Sequence, residues 1–206
     1  MAATVPGMMT MLSTRVMAAM ALPTIVLAAP AFAHTGEGGA GGFLAGFAHP
    51  LLGADHVVAM VAVGLWGVLL GQPAIWLLPV VFPLVMAFGG VLGIVGVPIP
   101  AVETGIAVSA IVLGAMVAFA ARPPLWTAAV LVGAFAIFHG TAHGRELPAG
   151  ANAVAFATGF VIATGTLHLC GIAFGLLARW PAGQVAVRAA GGVIALTGAA
   201  YLGGFV

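Results

Sequence analysis

Residues 74–96, AIWLLPVVFPLVMAFGGVLGIVG, form an apolar run without one charged side chain. A transmembrane helix needs about 20 such residues to cross the hydrocarbon core of a bilayer. Five further apolar runs of similar length lie at 47–70, 101–121, 125–146, 151–178 and 184–205. Prolines at the breaks between runs stop one helix and favour the start of the next. The sequence therefore predicts an all-α integral membrane protein, a compact bundle of about six transmembrane helices.

The composition excludes several classes of protein. With 63% hydrophobic and 4% charged residues, the chain lacks the polar surface that a soluble domain needs. The net charge of +1 comes from five arginines and four acids, with no lysine, so no basic surface for nucleic acid is expected. No G-x-x-x-x-G-K-[ST] phosphate loop is present. We therefore expect the lipid bilayer, and neither nucleic acid nor ATP, as a partner.

The amino-terminal segment is typical of a secretory leader. Arg15 is followed by an apolar run from Val16 to Leu27 and by Ala31-Phe32-Ala33, the small-x-small pattern of a cleavage site. This predicts a signal peptide at 1–33, a flexible glycine-rich outer arm at 34–46 and a six-helix transmembrane permease domain at 47–206. The alternative is an uncleaved anchor helix. In both cases His34 emerges on the outer side.

Arginine positions predict the orientation of the bundle. If the amino terminus is outside, the connections near Gln72, Arg122 and Arg179 to Arg188 are cytoplasmic. Three of the four arginines beyond the leader then lie inside, as the positive-inside rule expects. We therefore predict a multi-pass protein of the bacterial inner membrane with its mature amino terminus in the periplasm.

Ionisable residues are costly in lipid and usually face a bundle interior or a water-filled route. Seven of them are predicted at the outer ends of three helices: His49, Asp55, His56, Glu103, His139, His143 and Glu146. His139 and His143 are four residues apart and share one helical face, with Glu146 one turn further; His49 and His56, seven apart, also share a face. Imidazole and carboxylate without a thiolate cluster favour nickel, cobalt, zinc or copper(II).

Each of these residues has a structural alternative. Glu103 could serve only to interact favourably with the positive end of its helix dipole. His139 and His143 could be a hydrogen-bonded pair that packs between helices. Three weaker candidates for the metal or its pathway are His34, His168 and Cys170. For the last two, a core histidine and an inert buried thiol are the alternatives. Glu37 is expected to be a solvated loop acid.

Two segments carry a resemblance to a known family. Residues 49–56, HPLLGADH, and 138–146, FHGTAHGRE, resemble the H-x5-D-H and FHGxAHGxE motifs of the HupE/UreJ hydrogenase/urease accessory permeases. The resemblance covers the mature chain, including a glutamate in the third helix, here Glu103. It implies secondary transport of nickel for nickel enzymes, with cobalt handled by some members. It also implies that the motif residues contact the metal.

The sequence thus predicts a permease for a divalent transition-metal cation, most simply nickel, and not an enzyme. The metal is expected as the transported ion, with no prosthetic group. A cobalt permease is the alternative within this class, and a b-type haem protein or a membrane metalloenzyme is the alternative from another. The metalloenzyme lacks its H-E-x-x-H signature, because Gly-Thr-Ala separates His139 from His143. A downstream metallochaperone and a homo-oligomer are left open.

Overall fold

The computed structural model describes residues 39–147 and 150–205. In these ranges the chain forms seven α-helices and one 3-10 turn, with no β-strand. The helices are α1 (Gly39–Leu52), α2 (Ala54–Leu70), α3 (Ala74–Ile94), α4 (Val102–Ala118), α5 (Leu125–Arg145), α6 (Ala153–Gly175) and α7 (Pro181–Leu202). The predicted signal peptide of residues 1–33, together with His34 and Glu37, lies outside the described residues.

Most of these helices have the length and composition of membrane spans. Four qualify singly: α3, α5, α7, and α6 with its 3-10 continuation to Arg179. The pair α1 and α2 qualifies as one span bent by 78°, whereas α4, at 17 residues, is shorter. Large apolar side chains such as Leu84, Trp126 and Leu196 are exposed on the outer faces of the bundle, where lipid would cover them. The chain is therefore a helical membrane protein, and its division into six spans stays a prediction.

Helix α2 is the central helix of the bundle. It packs against α3, α4, α6 and α7, and its residues from Ala59 to Gly67 are almost all buried. A helix that is apolar on all its faces is suited to such a position. Trp66 holds α2 against the connection between α4 and α5, because the indole Nε1 donates a hydrogen bond to the Ala121 carbonyl at 2.9 Å.

The structure differs from the sequence prediction at the first span. Residues 39–46, predicted within the flexible arm, already belong to α1, because Gly46 allows α1 to pack directly against the α6 backbone at Phe156. The predicted continuous helix 47–70 is interrupted at Gly53, which has an extended conformation with ψ 108°. His49 and His56 therefore lie on two helices and do not share the face of one.

Polar residues are divided between the two ends of the bundle. One end carries Arg122, Arg179 and Arg188 around an open cavity of about 430 Å³. We call it the arginine end. The opposite end carries Asp55 and Glu103 in the wall of a second cavity of about 280 Å³. We call it the histidine end, because the histidine cluster described below lies there.

Candidate metal site

Two glycines of the FHGTAHG segment bring α5 into backbone contact with α3. A side chain at Gly140 would overlap the Met86 carbonyl, and one at Gly144 would overlap the Gly90 carbonyl. This contact fixes the rotation of α5 about its axis. The adjacent face of α5, with His139 and His143, is thereby held toward α1 and α2.

His143 is the central residue of the cluster. Its Nε2 lies 2.5 Å from Nε2 of His56, and its Nδ1 lies 3.6 Å from Oε2 of Glu146. Its ring also stands 4.8 Å, centroid to centroid, from the ring of His49. The side chain is almost completely buried. One imidazole thus contacts ligand-type side chains from α1, α2 and the end of its own helix.

His49 and Glu146 complete the outer part of the cluster. His49 Nε2 is 3.0 Å from Glu146 Oε2, and ligand atoms of His49, His143 and Glu146 all lie within 4.8 Å of one another. The buried rings of Phe156 and Phe160, from α6, line the other side, with Phe160 4.2 Å from His143 between ring centroids. The polar atoms therefore face each other inside an apolar wall.

The bend between α1 and α2 creates this arrangement. It places the His49 and His56 rings 6.5 Å apart between centroids. A Cβ atom at Gly53 would stand 2.9 Å from Asp55 Oδ1 and 3.2 Å from His56 Nδ1, so a larger residue would push these side chains away. Glycine at the bend thus leaves space beside the carboxylate and the imidazole, whereas its backbone angles, φ −83° and ψ 108°, are open to any residue.

Asp55 orients His56. Its Oδ1 lies 3.1 Å from His56 Nδ1, which favours the tautomer with the proton on Nδ1 and the lone pair on Nε2. That lone pair faces His143 Nε2. Two nitrogens bound to one metal at about 2.1 Å each would stand about 3.0 Å apart at a 90° angle and about 3.4 Å apart at a tetrahedral angle. A small outward shift of either ring would give that spacing, so the pair is close to a geometry that holds a cation.

His139 has the corresponding arrangement one turn deeper. The Ser109 hydroxyl donates to the Ile106 carbonyl at 2.6 Å, and so it accepts the proton of His139 Nε2 at 2.9 Å. This leaves the lone pair on His139 Nδ1, which is buried and has no hydrogen-bond partner. The His139 and His56 rings are 4.8 Å apart between centroids. A third imidazole, whose unprotonated nitrogen has no hydrogen-bond partner, therefore lies beside the His56 ring.

Glu103 lies outside the histidine cluster. It is exposed at the first turn of α4 and lines the 280 Å³ cavity together with Asp55 and Tyr201. Among the described residues it makes no hydrogen bond or ion pair. Asp55 is thus the link between the cavity and the cluster, since it contributes to both.

The two weaker candidates on α6 occupy different environments. His168 is buried and, like His139, packs against the Phe82 ring: Phe82 stands 5.5 Å from His139 and 5.6 Å from His168 between centroids. Cys170 is exposed. Two residues apart on a helix, the side chains point in different directions, so the structure does not bring Cys170 to the histidines.

Glu146 is charged in this setting. The imidazoles of His143 and then His49 hold the pKa of its carboxyl below the ordinary value, because their ring nitrogens stabilise the carboxylate. The side chain is half exposed at the histidine end. The outer part of the cluster therefore has a permanent negative charge at neutral pH, which attracts a cation.

Sequence reasoning did not identify Ser109, Tyr201 or the two phenylalanines of α6. Ser109 had a usable signal, because a hydroxyl amid the apolar residues of α4 needs a partner. Tyr201 and the phenylalanines had none, since their proximity to the motifs arises only from packing between distant helices.

The fold and this cluster define a multi-helix membrane protein with a histidine and carboxylate centre between its helices. Residues 9–201 match the family described as HupE / UreJ protein. A curated relative, Protein HupE of Rhizobium leguminosarum bv. viciae, is 50% identical over 191 residues, which are 93% of this chain and 97% of the relative. No solved structure matches the chain significantly.

The chain therefore belongs to the HupE/UreJ family. This confirms the resemblance of the two motifs. Members of the family are hydrogenase and urease accessory and transport proteins and not enzymes, which also confirms the prediction that the chain has no enzymatic activity.

Proposed function

We propose that this protein is a secondary permease for a divalent transition-metal cation, nickel, and supplies it for the maturation of hydrogenase or urease. The observation that carries the proposal is the convergence of His49, His56 and His143 with the Glu146 carboxylate between three helices. Family membership supports it independently. Cobalt is the alternative ion, because the same donor set binds both metals.

The chemistry of the donor atoms favours this class of ion. Imidazole nitrogens suit nickel, cobalt, zinc and copper(II), whereas magnesium and calcium prefer oxygen ligands. The one described cysteine, Cys170, is exposed and away from the cluster, so no thiolate biases the site toward soft ions. The acidic cavity of Asp55 and Glu103 would raise the local concentration of cations at the histidine end.

We place the histidine end in the periplasm and the arginine end in the cytoplasm. Arg122, Arg179 and Arg188 gather at one end, as the positive-inside rule requires of a cytoplasmic face. An ion entering at the histidine end then moves along the membrane potential. A divalent ion crossing about 100 mV, inside negative, gains roughly 4.6 kcal/mol, so uptake needs no nucleotide hydrolysis.

Within the cluster, the ion would have two adjacent binding positions, and His143 contributes to both. The first lies between His49 Nε2, His143 Nδ1 and Glu146; the second lies between the Nε2 atoms of His143 and His56, with the His139 ring beside the His56 ring. An ion passes from the first to the second by exchanging Nδ1 of the same imidazole for Nε2, while the ring proton moves the opposite way, from Nε2 to Nδ1. Each position has few protein ligands, which keeps binding weak enough for release.

The test is nickel flux into liposomes. Purified protein is reconstituted with a nickel-sensitive dye inside and an imposed inside-negative potential, and nickel is added outside. The parent protein should give a flux that increases with the potential, and Glu146→Gln should reduce it strongly, because the charge and one ligand atom are lost. Parent flux no greater than that of protein-free liposomes would refute the proposal. Competition by cobalt in the same assay decides between the two ions.

The haem alternative has its own measurement. A b-type haem would give a Soret band in the purified protein, and its two axial histidines would face each other across the macrocycle. His56 and His143 instead stand with Nε2 atoms 2.5 Å apart, which leaves no room for a haem between them. We expect no Soret band.

A further inference from the structure

His168 is a buried histidine that does not belong to the cluster at the histidine end. Only 1% of its surface is exposed, and neither ring nitrogen forms a hydrogen bond of normal length and angle. The hydroxyl of Thr164, one turn earlier on α6, is also buried and unpartnered. Buried polar groups nearly always have partners, so two adjacent exceptions on one helix face indicate a site for something that binds them.

Helix α3 supplies a third polar atom beside this pair. Pro79 and Pro83 both lie inside α3. Because Pro83 has no N–H, the carbonyl of Pro79, four residues earlier, receives no helical hydrogen bond. That carbonyl is close enough to the His168 ring to act as a weak hydrogen-bond acceptor for it. An imidazole and a carbonyl that lacks its helical partner thus lie together, with the Thr164 hydroxyl one helical turn from the imidazole on the same face of α6.

The position of His168 connects the two ends of the bundle. Toward the histidine end, the Phe82 ring packs against both His168 and His139. Toward the arginine end, Gly175 lines the 430 Å³ cavity. Gly175 is seven residues from His168, hence on the same helical face and about 10 Å along the axis. His168 therefore stands between the histidine cluster and the cytoplasmic cavity.

We propose that His168, Thr164 and the Pro79 carbonyl form a second, weaker metal site, which receives the transported ion from His139 past Phe82 and releases it to the arginine end. This proposal rests on the proposed permease function. All three ligand groups are neutral, so the ion is bound less strongly than beside the Glu146 carboxylate, as the last site before release requires.

The first test measures binding of radioactive nickel to the purified protein by equilibrium dialysis. The parent protein should show two affinity classes. His143→Gln should weaken the tighter class and keep the weaker one, and His168→Gln should do the opposite. A single class in the parent protein, which needs no variant to fold, would overturn the proposal.

The second test measures nickel flux in liposomes at equal protein content. We expect His168→Gln to reduce the flux at least tenfold, although nickel added to the purified variant still raises its melting temperature through the intact outer cluster. Thr164→Val should reduce the flux several-fold. Its matched control is Thr166→Val, because the exposed Thr166 hydroxyl bonds only to the Ile162 carbonyl of its own helix. This control should leave the flux unchanged.

The outcomes separate the two proposals. If His143→Gln abolishes the flux and His168→Gln transports at the parent rate, the inner site is refuted and the permease function stands. If the parent protein itself gives no flux, both proposals fail.

Discussion

Replacement of His143 by glutamine tests the cluster at its central residue. His143 contributes a nitrogen to both proposed positions and contacts His56, Glu146 and His49. Glutamine keeps a polar side chain of similar size but is a poor nickel ligand. Loss of an outer-shell partner of a metal ligand already lowers affinity about 10- to 100-fold, so loss of a ligand itself should lower it at least ~100-fold.

The expected effect on stability follows from this loss of affinity. Nickel at about 100 times the parent dissociation constant should stabilise the parent protein by about 2.7 kcal/mol, but the variant by only about 0.4 kcal/mol. At roughly 2–4 °C per kcal/mol for a chain of this size, the parent melting temperature should rise by about 5–10 °C and that of the variant by about 1 °C. Thermal unfolding of both purified proteins, with and without nickel, measures the difference.

Arg145→Gln is the matched control. It introduces the same side chain two residues away, but Arg145 is exposed and donates to the Val97 and Ile99 carbonyls of the loop before α4. This variant should lose some stability without nickel and keep the full nickel-dependent rise. If His143→Gln shows the same rise as the parent protein, His143 is not a ligand and the handover through its two nitrogens is wrong.

Three further predictions concern other parts of the molecule. Asp55→Asn should lower nickel affinity about 10- to 100-fold in equilibrium dialysis, because the amide orients its histidine partner less well; unchanged affinity would exclude that role. Gly140→Ala should cost about 1–3 kcal/mol and reduce membrane abundance, because the methyl group would overlap a carbonyl of α3. Gly165→Ala, where nothing lies within 4 Å, is its control and should be neutral or stabilising by up to ~1 kcal/mol. In a background without the native cysteine, Ala151→Cys should react with an impermeant thiol reagent in intact cells and Arg179→Cys only after permeabilisation; the reverse pattern would invert the proposed orientation.

Hydropathy and spacing were sufficient for the helical membrane class and for the grouping of the two motifs. His139 and His143 share a helix face because four residues make about one turn, and this relation is local. The arginine positions likewise indicate the two ends of the bundle before any packing is known. These inferences depend only on neighbouring residues and on the solvent, so they can be made from the sequence.

Relations between distant segments could not be predicted in this way. The path of the chain at Gly53 is one example, since a glycine within an apolar run is compatible with either a continuous helix or a break. The partner of His139 is another, because Ser109 is thirty residues away and meets it only through packing of α4 on α5. The separation of Glu103 from the histidines has the same cause: a glutamate at the correct end of a helix can still face a different cavity.

The length of α4 has a consequence for the membrane itself. Its 17 residues, ended by Ala101 and Ala120 with positive φ, span only about 26 Å, against about 30 Å for the hydrocarbon core. A shortfall of about 4 Å beside a polar cavity is met either by local thinning of the bilayer or by water that reaches below the headgroups. Glu103 lies at one end of α4, so there a hydrated ion of the proposed permease would reach the protein's first carboxylates before it sheds its water. The bundle would thus reduce the thickness of low-dielectric medium that the ion must cross. The path without bulk water would be shorter than the thickness of the surrounding hydrocarbon core.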